Sequence, residues 1–242
     1  MAQNKCTQTQ EVIEALRHNG GFSTLGKLYG IVDTSSWKTK TPQASIRRIV
    51  QNSPEIFRIQ PGLWALEECK ADVLRKFELN DLREADNERF HHSYYQGLLV
   101  EIGNMYNLTT YVPAQDKNKR FTDRPLVEVC TTVDIPQFSY KEIVNRAKTV
   151  DVIWFNERQM PSKFFEVEHS TDIQNSVGKF CDLQDFNSEF YIVANDVRKG
   201  QFEAVMKRTA FKDVRDRVKF YSYEKVIKQY ELMCEKAKFT FI

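Results

Sequence analysis

Along the first sixty residues, apolar positions recur three times at helical spacing and then alternate. In EVIEALRHNGG (11–21), Val12, Ile13 and Leu16 fall on one face, and Gly20-Gly21 supply a helix end. STLGKLYGIV (23–32) repeats the pattern through Leu25, Leu28, Tyr29 and Val32, with Ser23 or Thr24 as N-cap. A third helix is predicted from Thr41 as N-cap, with Pro42 at its first position and Ala44, Ile46, Ile49 and Val50 as its stripe. IFRI-QPG-LWAL then reads as two short strands about a Pro61-Gly62 turn.

From about residue 90 helices and strands alternate. HHSYYQGLLVEIGNMYN predicts a helix, and LTTYVPA (108–114) a strand. VDVIWFN (150–156) and SKFFEVEHS (162–170) predict two strands joined by a polar turn. A helix over 172–185, a strand over 189–195, a helix over 199–216, a strand over 218–223 and a helix over 224–237 follow. The order predicts an α/β chain whose sheet is mixed, mostly parallel after the initial hairpin, and flanked by helices.

Charge divides the chain the same way. Residues 1–66 carry eight Lys and Arg against four Asp and Glu, residues 67–90 five against eight, and the remainder 22 against 21. We therefore expect a basic module over 1–66, a charged helical connector over 67–89 and a larger module over 90–242. The composition, 41% apolar with 17 Phe and 10 Tyr, excludes wholesale disorder. No apolar run reaches the ~20 residues of a membrane span, and MAQNKCTQTQ lacks a signal-peptide core. Five scattered cysteines without a C-x-x-C pair argue against disulfides and structural zinc, so a cytoplasmic location and no membrane partner are expected.

Three short helices and a hairpin in about sixty residues match a winged helix. Trp37, Lys38, Lys40, Gln43, Arg47 and Arg48 gather at the amino end of its third helix, where backbone N–H groups favour phosphate and where Arg and Gln can read base edges. Arg58 in the hairpin would add a phosphate contact. The competing reading is a solvated face on a protein-interaction module. Over about residues 8–66 the pattern V-I-E-A-L, SIRRIV and F-R-I-Q-P-G-L-W-A-L resembles the HARE-type winged helix, which implies attachment to DNA and sensitivity to base modification.

The candidate chemistry lies on the 150–156 and 162–170 strands. Side chains alternate along a strand, so Glu166 and Glu168 project together, in phase with Phe164, while Val167 faces away. Asp151 opens the neighbouring strand. Carboxylates converging on an apolar sheet need a compensating cation, and hard oxygen donors favour Mg²⁺. A solvent-facing half-strand is the alternative.

This order, with Asp151 and the Glu166-Val167-Glu168 run, is similar to the core of the PD-(D/E)xK nuclease superfamily over roughly residues 90–225. The resemblance implies that Asp151, Glu166 and the Val167 carbonyl hold Mg²⁺, with Mn²⁺ as substitute. Val150 stands where the motif proline would be, and Glu168 replaces the motif lysine, as in a minority E-x-E form. Glu168 would then act as general base or second-metal ligand, or Lys179 or Lys163 would supply the missing cation. Glu101 matches an acidic residue that some members link to the metal. His169 and Ser170, directly after the carboxylates, are placed to contact a phosphate or orient water, although His169 also suits a structural role. Arg198, Lys199, Lys207 and Arg208 are candidate phosphate contacts, Arg208 foremost, with a solvated helix face as the alternative.

Other chemistries find little support. There is no Gly-rich phosphate loop and no G-x-S-x-G elbow. His91-His92 lacks a third zinc ligand at regular spacing. The expectation is a Mg²⁺-dependent, type II restriction-type endonuclease acting on double-stranded DNA at a specific, modification-sensitive sequence. A homodimer and a cognate DNA methyltransferase are the expected partners. The alternatives are a DNA-binding regulator on an inactive nuclease fold and a protein-interaction adaptor.

Overall fold

A computed structural model describes residues 7–79, 84–169 and 172–239, and the chain separates into two compact units. The first comprises residues 1–81 and 227–242, the second 82–226.

In the first unit, α1 (Gln8–His18) starts at a capping box in which Thr7 and Gln10 satisfy each other's backbone N–H. Val12, Ile13 and Leu16 are buried as their spacing predicts. Gly20 and Gly21 both take positive φ after its end, and a Cβ on Gly21 would lie 2.6 Å from the Cys69 Sγ. Then come β1 (Phe22–Thr24), α2 (Leu25–Ile31), α3 (Pro42–Asn52), β2 (Ile56–Gln60), β3 (Leu63–Leu66) and α4 (Lys70–Lys76). Of the two N-cap candidates for α2, Thr24 serves: its hydroxyl accepts from the Lys27 N–H. Thr41 occupies the N-cap position of α3 without a side-chain cap bond, and Ala44 is exposed while Ile46, Ile49 and Val50 are buried.

The hairpin β2–β3 forms about Pro61 and a positive-φ Gly62. The sheet has a third strand that the helical pattern concealed: β1 pairs antiparallel with β3, giving the order β1-β3-β2. Its three residues sit between the two predicted helices, where Ser23 and Thr24 read as caps.

In the second unit, α5 (Glu84–Met105) leads to β4 (Thr109–Tyr111), a two-residue ribbon β5 (Arg120–Phe121) and β6 (Arg124–Pro125), then α6 (Leu126–Val129) and α7 (Lys141–Ala147). The sequence pattern showed neither the ribbon nor α6 and α7. There follow β7 (Val152–Phe155), β8 (Pro161–Glu168), α8 (Ile173–Cys181), β9 (Glu189–Ala194), α9 (Lys199–Met206), β10 (Val218–Ser222) and α10 (Tyr223–Phe239). The five-stranded sheet runs β10-β9-β8-β7-β4, with β8, β9 and β10 parallel and β4–β7–β8 antiparallel. The chain is thus α/β with mixed sheet pairing.

Ile153, Phe155, Phe164, Phe190 and Ile192 line one face of this sheet and pack against Ile173, Val177 and Phe180 of α8 and Phe202, Val205 and Met206 of α9. On the other face Trp154 packs on Phe165 and donates its indole N–H to the Leu99 carbonyl of α5 at 3.1 Å.

One predicted helix ends early and another, formed as expected, groups with a different unit. The helix expected to reach 216 stops at Met206, and the Arg215 guanidinium satisfies the carbonyls of Met206, Lys207 and Arg208 at 2.6, 3.2 and 3.3 Å. The last helix, expected with the larger module, groups from Ile227 onward with the first unit. There Tyr230 lies 3.3 Å from the Thr24 hydroxyl, and Glu231 pairs with Arg47. No helix among the described residues is long and apolar enough to cross a membrane.

Candidate functional site

Asp151 precedes β7, and Glu166 and Glu168 end β8, so all three sit where the central strands finish. In the β7–β8 register Val152 faces Phe165, and one residue further Asp151 comes beside Glu166. Exposure decides between the two sequence readings of this patch: Asp151 is 8% exposed, Glu166 2% and Glu168 3%. The carboxylates are buried, and each has a polar partner.

The Asp151 Oδ2 accepts from the Val167 N–H at 2.7 Å. Lys179, one turn from the end of α8, donates to both Glu166 oxygens at 2.8 and 2.9 Å and to the Thr149 carbonyl at 3.0 Å. Ser176, one turn earlier on the same face, donates its single hydroxyl hydrogen to Glu168 and lies 3.2 Å from Glu166 Oε2. The Arg198 guanidinium approaches the Glu168 Oε2 at 3.8 Å and donates to the His169 carbonyl at 3.0 Å. The Tyr223 hydroxyl donates to the Glu168 carbonyl at 3.0 Å. Burial, then the like charge of Asp151, pushes the Glu166 carboxyl well above its usual range, with Lys179 opposing.

A second group of side chains meets Asp151 from α5. His92 Nε2 lies 3.6 Å from Asp151 Oδ1 and 3.8 Å from Asp116 Oδ2. Among the described residues, His92, Asp116 and Asp151 are the group of three whose potential ligand atoms all lie within 4.8 Å of one another. Gln96 donates to Asp116 Oδ2 at 2.7 Å and to the Asp151 carbonyl at 3.1 Å, and Lys119 reaches Asp116 Oδ1 at 2.6 Å. Burial alone would lower the His92 imidazole, but the two carboxylates outweigh it and carry it up to about 10. Burial likewise works against ionisation of Asp116, yet His92, Lys119 and Gln96 hold it down at about 2.

Of the residues singled out from sequence, Asp151, Glu166, Glu168 and Lys179 come together. Glu101 pairs instead with Arg124 at 3.4 Å, and Lys163 pairs with Glu189. His169 stacks on His91, with centroids 5.4 Å apart and planes 9° apart, and its Nε2 lies 3.8 Å from Glu88. Ser170 lies outside the described residues. Arg208 bonds the Gln174 amide oxygen.

In the first unit Lys38, Lys40, Arg48 and Arg58 are exposed and Gln43 is half-buried. Trp37 donates its indole N–H to Glu11. Arg47 is turned to Glu231 at 2.6 Å and to the Tyr29 hydroxyl at 3.1 Å, so it already has a structural partner.

Sequence reasoning passed over Ser176, Tyr223, Gln96 and Asp116. For the first three no local signal existed, since a polar residue on a helix is ordinary. The His91-His92 pair stands out in the sequence, but the carboxylate partners of His92 are 24 and 59 residues beyond it, outside any spacing rule.

The family model described as the type II restriction enzyme NmeDI C-terminal domain matches residues 74–242. The type II restriction enzyme NmeDI of Neisseria meningitidis serogroup C is 24% identical over 159 residues, which cover 62% of this chain and 44% of that protein. The chain thus spans less than half the length of this relative. No solved structure matches.

Proposed function

The chain belongs to the family of the type II restriction enzyme NmeDI C-terminal domain, and on that premise we propose that it is a restriction-type endonuclease hydrolysing phosphodiester bonds of double-stranded DNA. The observation that carries the reading is the trio of buried carboxylates, Asp151, Glu166 and Glu168, with the Lys179 ammonium on Glu166. We read the second unit as an E-x-E variant of the PD-(D/E)xK plan, in which Lys179 on α8 supplies the cation that the Glu168 position lacks.

Asp151, Glu166 and the Val167 carbonyl are hard oxygen donors, a set that fits Mg²⁺, with Mn²⁺ as substitute. Such an ion, when bound, supplies charge neutralisation at the phosphate and a lowered pKa for a water. The chain's own groups do the rest. Val167 N–H and Ser176 fix the carboxylates in position. Glu168 is placed to orient the attacking water and accept its proton, and Lys179 to offset charge beside Glu166. Tyr223 and Arg198 hold the backbone at the end of β8.

Within the first unit, α1–α3 and the three-stranded sheet are read as a winged helix that holds the duplex through Lys38, Lys40, Gln43, Arg48 and Arg58. Recognition of a specific, modification-sensitive sequence, action as a homodimer, with two sites cutting two strands, and pairing with a cognate DNA methyltransferase complete the proposal.

The test is cleavage of modified and unmodified genomic DNA with Mg²⁺ or Mn²⁺. Discrete fragments are expected from the wild type. Asp151→Ala and Glu166→Ala are expected to abolish cutting while DNA affinity stays within about threefold. Undiminished cutting by both variants would remove the site assignment. Binding without cutting in every condition would instead favour a DNA-binding regulator.

A further inference from the structure

We propose that His92, Asp116 and Asp151 form a second divalent-cation site, which prefers a transition ion such as Mn²⁺ or Zn²⁺ to Mg²⁺ and shares Asp151 with the site above. The site itself stands on its own geometry; its part in cleavage rests on the nuclease reading.

Three elements distant in sequence bring the ligands together: His92 comes from α5, Asp116 from the loop between β4 and β5, and Asp151 from the entry to β7. The separations of 3.6 and 3.8 Å from His92 Nε2 to the two carboxylates are too long for hydrogen bonds. They match the spacing of neighbouring ligands around one cation, about 3–4 Å when the bonds are about 2.1 Å.

A second observation points to the same place. Gln96 is one turn beyond His92 and fully buried. Its Nε2 holds both Asp116 Oδ2 and the Asp151 carbonyl, yet its Oε1 has no hydrogen-bond partner among the described residues. A buried amide oxygen left open on a side chain bonded to both Asp116 and the Asp151 carbonyl suits a donor that arrives with the ion, namely a coordinated water.

The remaining contacts leave a lone pair on each carboxylate oxygen nearest His92, Asp116 Oδ2 keeping one beside its bond from Gln96. Lys119 occupies Asp116 Oδ1, so Oδ2 is the oxygen that faces the cluster. Asp151 divides its oxygens, with Oδ1 toward His92 and Oδ2 on the Val167 N–H beside Glu166. It is therefore the natural carboxylate common to two ions, as in two-metal phosphodiester hydrolysis. The imidazole decides the ion: one nitrogen and two carboxylate donors favour the borderline transition ions, whereas Mg²⁺ favours oxygen alone.

The test uses the full chain stripped with EDTA and titrated with Mn²⁺, bound ion being read by electron paramagnetic resonance and imidazole ligation by spin-echo nitrogen modulation. The wild type and Glu166→Gln are expected to show the nitrogen signal. His92→Ala is expected to lose it, and both His92→Ala and the isosteric Asp116→Asn to weaken this Mn²⁺ site by more than about tenfold. Circular dichroism of both variants checks that they remain folded. Zn²⁺ is expected to displace the nitrogen-ligated Mn²⁺ at far lower concentration than Mg²⁺. Absence of a nitrogen signal in the wild type, or Mn²⁺ affinity unchanged in both variants, would overturn the site. If the wild type fails to cut DNA while the nitrogen signal depends on His92, the nuclease reading fails and this site stands.

Discussion

The pairing of Lys179 with Glu166 permits a quantitative test in metal-free protein. Glu166 is 2% exposed and both its oxygens receive the Lys179 ammonium, at 2.8 and 2.9 Å. Removing one partner of a buried ion pair costs about 3–5 kcal/mol, because the other charge is left without compensation. Two features lower that figure here. The Lys179 side chain is 24% exposed, so water already screens part of the interaction. The Ser176 hydroxyl, 3.2 Å away and shared with Glu168, can turn its hydrogen to Glu166 after the lysine is gone.

Lys179→Met is therefore expected to cost about 2–3 kcal/mol, and Glu166→Gln, which leaves the ammonium its Thr149 carbonyl, about 1–2 kcal/mol. With the charge on Glu166 removed, the lysine has little left to compensate. The double variant is then expected to be no less stable than Lys179→Met, a coupling of about 1–2 kcal/mol. Urea denaturation in EDTA, followed by circular dichroism, measures all four corners of the cycle. Additivity of the two losses to within about 0.5 kcal/mol would refute the claim that these groups act as a pair.

Arg47 and its neighbours on α3 are expected to behave differently from one another. Arg47→Ala leaves Glu231, whose side chain is 8% exposed, without its guanidinium, and the half-exposed Arg47 sets the expected loss of stability at about 1–3 kcal/mol. Arg48→Ala and Arg58→Ala are expected to leave stability within about 0.5 kcal/mol, each lowering the slope of log affinity for DNA against log salt by about 1. Salt-independent binding, or none, would remove the DNA-binding reading of the first unit. Gly97→Ala places a Cβ 2.1 Å from the ring of the buried Phe121, so about 1–3 kcal/mol of destabilisation is expected despite the better helix propensity of Ala. A melting temperature equal to or above that of the wild type would contradict the close approach of α5 to the β5–β6 ribbon.

Much of the local structure was legible in the residue pattern. Val12, Ile13 and Leu16 repeat with the period of a helix and are buried together on α1, and the apolar runs before and after the polar turn at 157–160 became β7 and β8. Glu166 and Glu168 share a face because strand side chains alternate, which needs no tertiary information. The three-residue β1 and the β5–β6 ribbon escaped because so few residues cannot express a period; their pairing partners define them. The phase of Phe164 points to burial of the carboxylates, and Lys179 is one of two lysines the sequence offers as a cation, but the choice of Lys179 over Lys163 and the meeting of His92 with Asp116 and Asp151 had no local expression. A hydrophobic pattern records which face of one element leaves water. Which polar groups meet is set by the packing of α5 and α8 on opposite faces of one sheet, and only the folded chain decides that.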